Sequence, residues 1–133
     1  TVQPLNSDCM PDIRTSVEAI DLDTIDEFCH REHIRRINFL KIDTEGHDLE
    51  VLSGAETMLS TQMIDIVQVE AGMNPKNRKF VPFEEFKRFL EDRDYYLFGI
   101  YEQVHEHYTG ESHLRRANPV FISSHMIELN RFQ

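Results

Sequence analysis

The sequence predicts an α/β protein: a mostly parallel sheet flanked by helices. Short apolar, β-branched or aromatic runs alternate with stretches whose apolar residues fall at helical spacing. The links between them are short, and no repeat or low-complexity segment interrupts the series. Such alternation calls for right-handed crossovers between parallel strands. With 133 residues and 40% apolar content, the chain fits one domain with its own core.

The opening TVQPLNSDCMPD holds two prolines among small polar and acidic residues, so residues 1–14 are expected to be a loop or linker. TSVEAIDL, from Thr15, reads as a first strand. DTIDEFCHREHI follows with Ile25, Phe28 and Cys29 at helical spacing, and either Asp23 or Thr24 can serve as its N-cap. INFLKI is an apolar run broken only by Asn38 and Lys41, the pattern of a strand covered on both faces. HDLEVLSGAETML puts Leu49, Leu52, Ala55, Met58 and Leu59 on one stripe, which predicts a single amphipathic helix. IDIVQVE repeats the buried-strand pattern, and Gly72, Asn74 and Pro75 then turn the chain. PFEEFKRFLEDR places Pro82 in a first helical turn and spaces Phe83, Phe86 and Leu90 by helical steps. YYLFGIY and NPVFIS have no helix between them, only the polar EQVHEHYTGESHLRRA, so they are expected to pair antiparallel. Strands are thus expected near residues 38–43, 64–70, 95–101 and 119–123, the first three parallel, within a domain body of 15–125 and before a tail at 126–133.

Charge excludes one class of partner. Asp and Glu number 24 against 14 Lys and Arg, a net charge of −10, whereas phosphate-backbone binding needs clustered cations. HREHIRR and HLRR are short basic runs diluted by nearby acids and read as solvated faces, so no nucleic-acid partner is expected. Cys9 and Cys29 form no C-x-x-C pair, which fits a reduced, cytoplasmic chain. No apolar run approaches the ~18 residues of a membrane span and the first residues lack a signal-peptide layout, so no membrane partner is expected either. The chain starts with Thr, which suggests processing or a piece of a longer protein.

Along INFLKI, alternation puts Phe39, Lys41 and Asp43 on one face and Leu40 and Ile42 on the other. In an open parallel sheet, ligands bind beyond the carboxyl ends of the strands, where Asp43 and Glu45 lie. Glu70 ends the next strand at the same edge, so three acids are expected at one rim. A lysine inside a doubly covered strand needs a carboxylate, and Asp43, Glu45 and Glu70 are the candidates for Lys41. Asp43 and Glu70 could hold a divalent cation, but two acids are too few to assign a metal site. His105, His107 and His113 lack a cysteine or fourth strong ligand for zinc and are read as part of a mobile loop.

The run INFLKIDTEGHDLEVLSGAETML, preceded by AIDLDTIDEF and followed by IVQVEAG and LRRANPVFI, resembles the FkbM-type S-adenosylmethionine-dependent methyltransferases. The resemblance spans Val17 to Ile122 and implies a Rossmann-like class I methyltransferase sheet, with the run on its central strand beside the cofactor cleft. It also implies that the last strand lies between the second and third. Leu22 and Asp23 resemble the family's Leu-Asp pair, which puts Asp23, with Asp43, on the cofactor side and Lys41 and Glu70 on the acceptor side. The implied reaction is O-methylation of a small-molecule or sugar-like acceptor by S-adenosylmethionine. Glu45 would orient or deprotonate the acceptor hydroxyl, or cap the following helix, and the two roles are compatible. Asp43 and His47 are further candidates for the catalytic group, although a histidine in a first helical turn is commonly an exposed surface residue. The family's upstream strand, glycine-rich turn and ribose-holding acid have no counterpart, because Gly46, Gly54, Gly72, Gly99 and Gly110 form no G-x-G. The resemblance is therefore to the C-terminal half of the domain, truncated at its N-terminus, and this chain alone is expected to bind the cofactor weakly or not at all. A different class of function is an interaction module whose free strand edge recruits a partner or a second copy of the chain.

Overall fold

The computed structural model describes residues 17–131. The expected loop at 1–14, the first two residues of TSVEAIDL, Cys9 and the last two residues of the tail lie outside the described residues. The elements are α1 (Ile25–Arg31), β1 (Ile37–Lys41), α2 (Asp48–Ser53), α3 (Glu56–Ser60), β2 (Ile64–Gln68), β3 (Ala71–Gly72), α4 (Phe83–Glu91), β4 (Tyr95–His105), β5 (Leu114–Ser123) and α5 (Ser124–Leu129).

These strands make one open, mixed sheet. β1 runs parallel to β2, with Phe39 opposite Ile66 and Lys41 opposite Gln68. β5 lies antiparallel to β2 and the two-residue β3 along one edge and to β4 along the other. β1, β2 and β4 therefore point the same way, with the last strand between the second and third of the expected ones. The core lies between the sheet and α2, α3 and α4, where Leu52, Leu59, Ile64, Val67, Phe86, Leu90, Tyr95 and Phe121 are each fully buried. Each such side chain contributes about 1.5–3 kcal/mol by leaving water. The Tyr95 hydroxyl donates to the Ile64 carbonyl at 2.6 Å, which satisfies the one polar atom it carries into the core.

Several expectations are corrected. Residues 17–24 form no strand: Val17, Ile20 and Leu22 are exposed, since apolar alternation makes a strand only where a ladder partner is at hand. The helix expected over 47–59 is two helices. Asp26 of α1 is the cause: its amide donates to the Gly54 carbonyl at 2.9 Å, and its carboxylate accepts from Thr57 N and Met58 N at 2.7 and 3.0 Å. A side chain from another helix thus caps α3 and stops α2. Thr24, not Asp23, caps α1 by accepting from Glu27 N. The strands run further into the polar connection than expected, β4 on to His105 and β5 starting at Leu114, with register shifts that absorb the irregular pattern, while residues 106–113 form the loop between them. α5, capped by Ser123, occupies part of the expected tail.

β1 is also covered on one face only among the described residues. Ile42 is 3% exposed on the helix side, whereas Phe39 on the other is 51% exposed. There Phe39 lines a shallow apolar groove of about 180 Å³ with Ile66, Phe98, Tyr101, Val120 and Ile122. Lys41 shares that open face, so it reaches solvent and has no desolvation cost to offset.

Candidate functional site

The site begins where β1 ends. After Ile42 the chain enters a tight turn, with Glu45 at φ 56° and Gly46 at φ 113°. For Glu45 this left-handed backbone carries strain that the surroundings must hold. Gly46 has a second reason to lack a side chain, since a Cβ there would sit 2.7 Å from the Lys79 carbonyl oxygen. Asp48, at the start of α2 and 1% exposed, ties the turn from below. Its Oδ1 accepts from the Thr44 amide at 2.8 Å and from the Thr44 hydroxyl, and its Oδ2 accepts from Glu70 N at 3.2 Å. One buried carboxylate therefore joins the ends of β1 and β2, and with them two of the expected site acids.

Asp43, Glu45 and Glu70 do converge: an oxygen of each lies within 4.8 Å of the others. Each has its own cation. Lys41 Nζ is 3.7 Å from Asp43, Lys79 Nζ is 2.5 Å from Glu45, and Arg116 Nη1 is 2.6 Å from Glu70. Of the three partners proposed for Lys41, Asp43 is the one it meets. The Lys79 ammonium holds the Glu45 carboxyl below its ordinary range. Glu70 goes the other way, because burial disfavours its charge, Arg116 only partly offsets this, and Asp43, Glu45 and Asp48 add repulsion. Two nearby carboxyls with opposed shifts are the arrangement from which separate acid and base roles are built.

Asp23 and His47 sit apart from this rim but together. They line a mostly apolar cavity of about 530 Å³ with Leu22, Thr24, Ile25, Glu50, Val51 and Gly54. His47 is largely exposed and lies 4.0 Å from Glu50. Both Asp23 oxygens are engaged, one by the Thr24 amide at 2.9 Å and the other by Arg31 at 2.5 Å. Arg31 holds the Asp23 carboxyl below its usual range. Among the described residues the three histidines form no such cluster; the acids alone bring three donors together.

Sequence reasoning missed Asp48, Lys79 and Arg116. A signal existed for two of them: the basic residues of NPKNRK follow a strand's carboxyl end, and those of LRR open a strand that runs antiparallel, so both arrive at the rim.

Comparison with known proteins agrees with this part of the chain. The model of the methyltransferase FkbM domain matches residues 10–97. The hexuronic acid methyltransferase AglP of Haloferax volcanii is 38% identical over 52 residues, a stretch covering 39% of this chain and 22% of that protein. No solved structure matches.

Proposed function

Because the chain belongs to the methyltransferase FkbM domain family, we propose that it carries out methyl transfer from S-adenosylmethionine to a hydroxyl of a small, sugar-like acceptor. The observation that carries this reading is the meeting of Asp43, Glu45 and Glu70 at the carboxyl edge of the sheet, on the run that resembles the family. A sheet with β1, β2 and β4 aligned and antiparallel β5 between β2 and β4 supports a Rossmann-like class I architecture spanning residues 15–125. An acidic sugar is the favoured acceptor, since the relative is named for hexuronic acid. A cytoplasmic location belongs to the same reading and rests on cysteine usage. Among the described residues, no helix is long and apolar enough to cross a membrane.

The cofactor supplies an electrophilic methyl on sulfur. The cavity walled by Leu22, Ile25 and Val51, with Asp23 and His47 beside it, is apolar enough to take an aromatic ring and suits one end of that molecule. Asp43 lies at the rim on the cofactor side, and Lys41 and Glu70 face the acceptor. Glu45, held ionised by Lys79, would orient the acceptor hydroxyl and accept its proton as the methyl leaves sulfur for oxygen, the electron pair of the broken sulfur–methyl bond staying on the departing thioether. Glu45→Gln keeps the size and removes the charge. A methyl-transfer assay with uronic acid acceptors, run on a longer chain that supplies the glycine-rich half, should then show a loss of about 100-fold or more with the melting temperature nearly kept. A variant that melts early but turns over normally would leave Glu45 a structural residue. Calorimetry with S-adenosylmethionine tests the cofactor directly, and weak binding by this chain is expected from the missing G-x-G turn.

A second reading has its own support. The outer edge of β1 pairs with no strand among the described residues, and the open face beside it exposes Phe39 and Phe98 at 51% and 65%. Such a face and edge suit self-association with a second copy.

A further inference from the structure

The segment between β3 and α4 behaves as a strap across the site turn. Its ends are tied where Gly72 N donates to the Val81 carbonyl at 2.8 Å and by the parallel bridge from Gly72 to Pro82. Near its start, Asn74 Nδ2 donates to buried Glu106 at 3.0 Å. Near its end, the Asn77 carboxamide accepts from Lys79 N at 2.9 Å, and Phe80 is buried beside it. These ties fix the backbone at Lys79, while its side chain and that of Glu45 are both more than half exposed. Its carbonyl passes over Gly46 so closely that no side chain fits between them, while its ammonium reaches the neighbouring Glu45 at 2.5 Å.

We propose that Lys79 is the positioning residue for Glu45: the strap fixes where that carboxylate points, so that it meets the acceptor ionised and in one orientation. This rests on the reading of Glu45 as the acceptor-handling group. Lys79 thus meets adjacent residues of a strained turn twice, by a close approach of its carbonyl over Gly46 and by the ion pair of its ammonium with Glu45. The four-carbon stem of Lys79 keeps its own rotamers, but the fixed backbone sets the point from which its ammonium reaches Glu45. The charges that bear on Glu45 are Lys79 from the strap, Asp43 from the end of β1, Glu70 after β2, and Arg115 and Arg116 from β5. Of these, Lys79 makes the direct ion pair, at 2.5 Å.

The test is a carbon-detected NMR titration of the Glu45 carboxyl in the wild-type chain and in Lys79→Met and Lys79→Arg, with amide spectra to establish that each variant is folded. The expected result is an upward move of the Glu45 midpoint in Lys79→Met and recovery in Lys79→Arg. In the methyl-transfer assay on a longer chain that supplies the glycine-rich half, the acid limb of kcat/KM should move the same way. At a pH on that limb the Met variant should lose about 10-fold. An unmoved Glu45 midpoint in folded Lys79→Met overturns the proposal, as does an Arg variant that behaves like Met. If the midpoint moves while the rate limb stays put, the catalytic part falls together with the role assigned to Glu45, and the failure is traced to that reading.

Discussion

Glu70 and Glu45 are chemically alike and lie at one rim, yet the fold treats them in opposite ways. Burial raises the folded pKa of Glu70 above the ordinary 4.5, so its contribution to stability is fully present below that value and is lost as pH rises through the raised one. Lys79 lowers that of Glu45, so its contribution is present above 4.5 and is lost as pH falls through the lowered one. Urea melts of Glu70→Gln should therefore compare better with wild type as pH rises from about 4 to about 7, the charge cost being removed. A difference that stays constant over that range would show that Glu70 pays no burial penalty. Asp43, Glu45 and Glu70 were legible in the sequence because strand ends and sheet edges follow from periodicity. Asp48 was not: its three hydrogen bonds reach Thr44 and Glu70, the latter 22 residues away, and no local pattern announces that.

Periodicity also located β1, β2, α4 and the start of β4; Ile64, Val67, Phe86, Leu90 and Tyr95 among them are buried in the helix-covered core, whereas Phe39 and Phe98 lie on the open face. It failed where a distant group intervenes. The stripe from Leu49 to Leu59 is continuous in sequence, and the break at Gly54–Ala55 comes from Asp26, 31 residues before the amide of Thr57 to which it bonds. Asp26→Ala should loosen α3 and cost about 1 kcal/mol, read as a lower urea midpoint with faster amide exchange at Thr57 and Met58. Unchanged exchange there would mean that α3 is held by Met58 and Leu59 packing alone. Residues 17–24 fail for a related reason, since apolar residues at strand spacing still need a neighbour to pair with. The β4–β5 hairpin was read too short because its bulges and histidines break the alternation on which the expectation relied.

One face of the sheet has helices and the other has an apolar groove, an imbalance that concerns the molecule as a whole. Burying Phe98 and Phe39 against a second copy would remove large exposed rings from water. Sedimentation velocity should show concentration-dependent association of the wild-type chain, reduced by Phe98→Asp, with the melting temperature little changed because that ring is already 65% exposed. A wild-type chain that remains monomeric at high micromolar concentration would remove the self-association reading.

The pairing of acids and cations at the rim also decides what an approaching anion meets. Three carboxylates, Asp43, Glu45 and Glu70, stand against three cations, Lys41, Lys79 and Arg116, so this patch sums to zero in a chain whose net charge is −10. On the proposed reading, an acidic sugar would cross a repulsive atmosphere that salt screens within about 8 Å at physiological strength, and then arrive at a neutral doorway. On that reading the excess of negative charge would repel such an anion elsewhere and leave the rim as the place where it can stay.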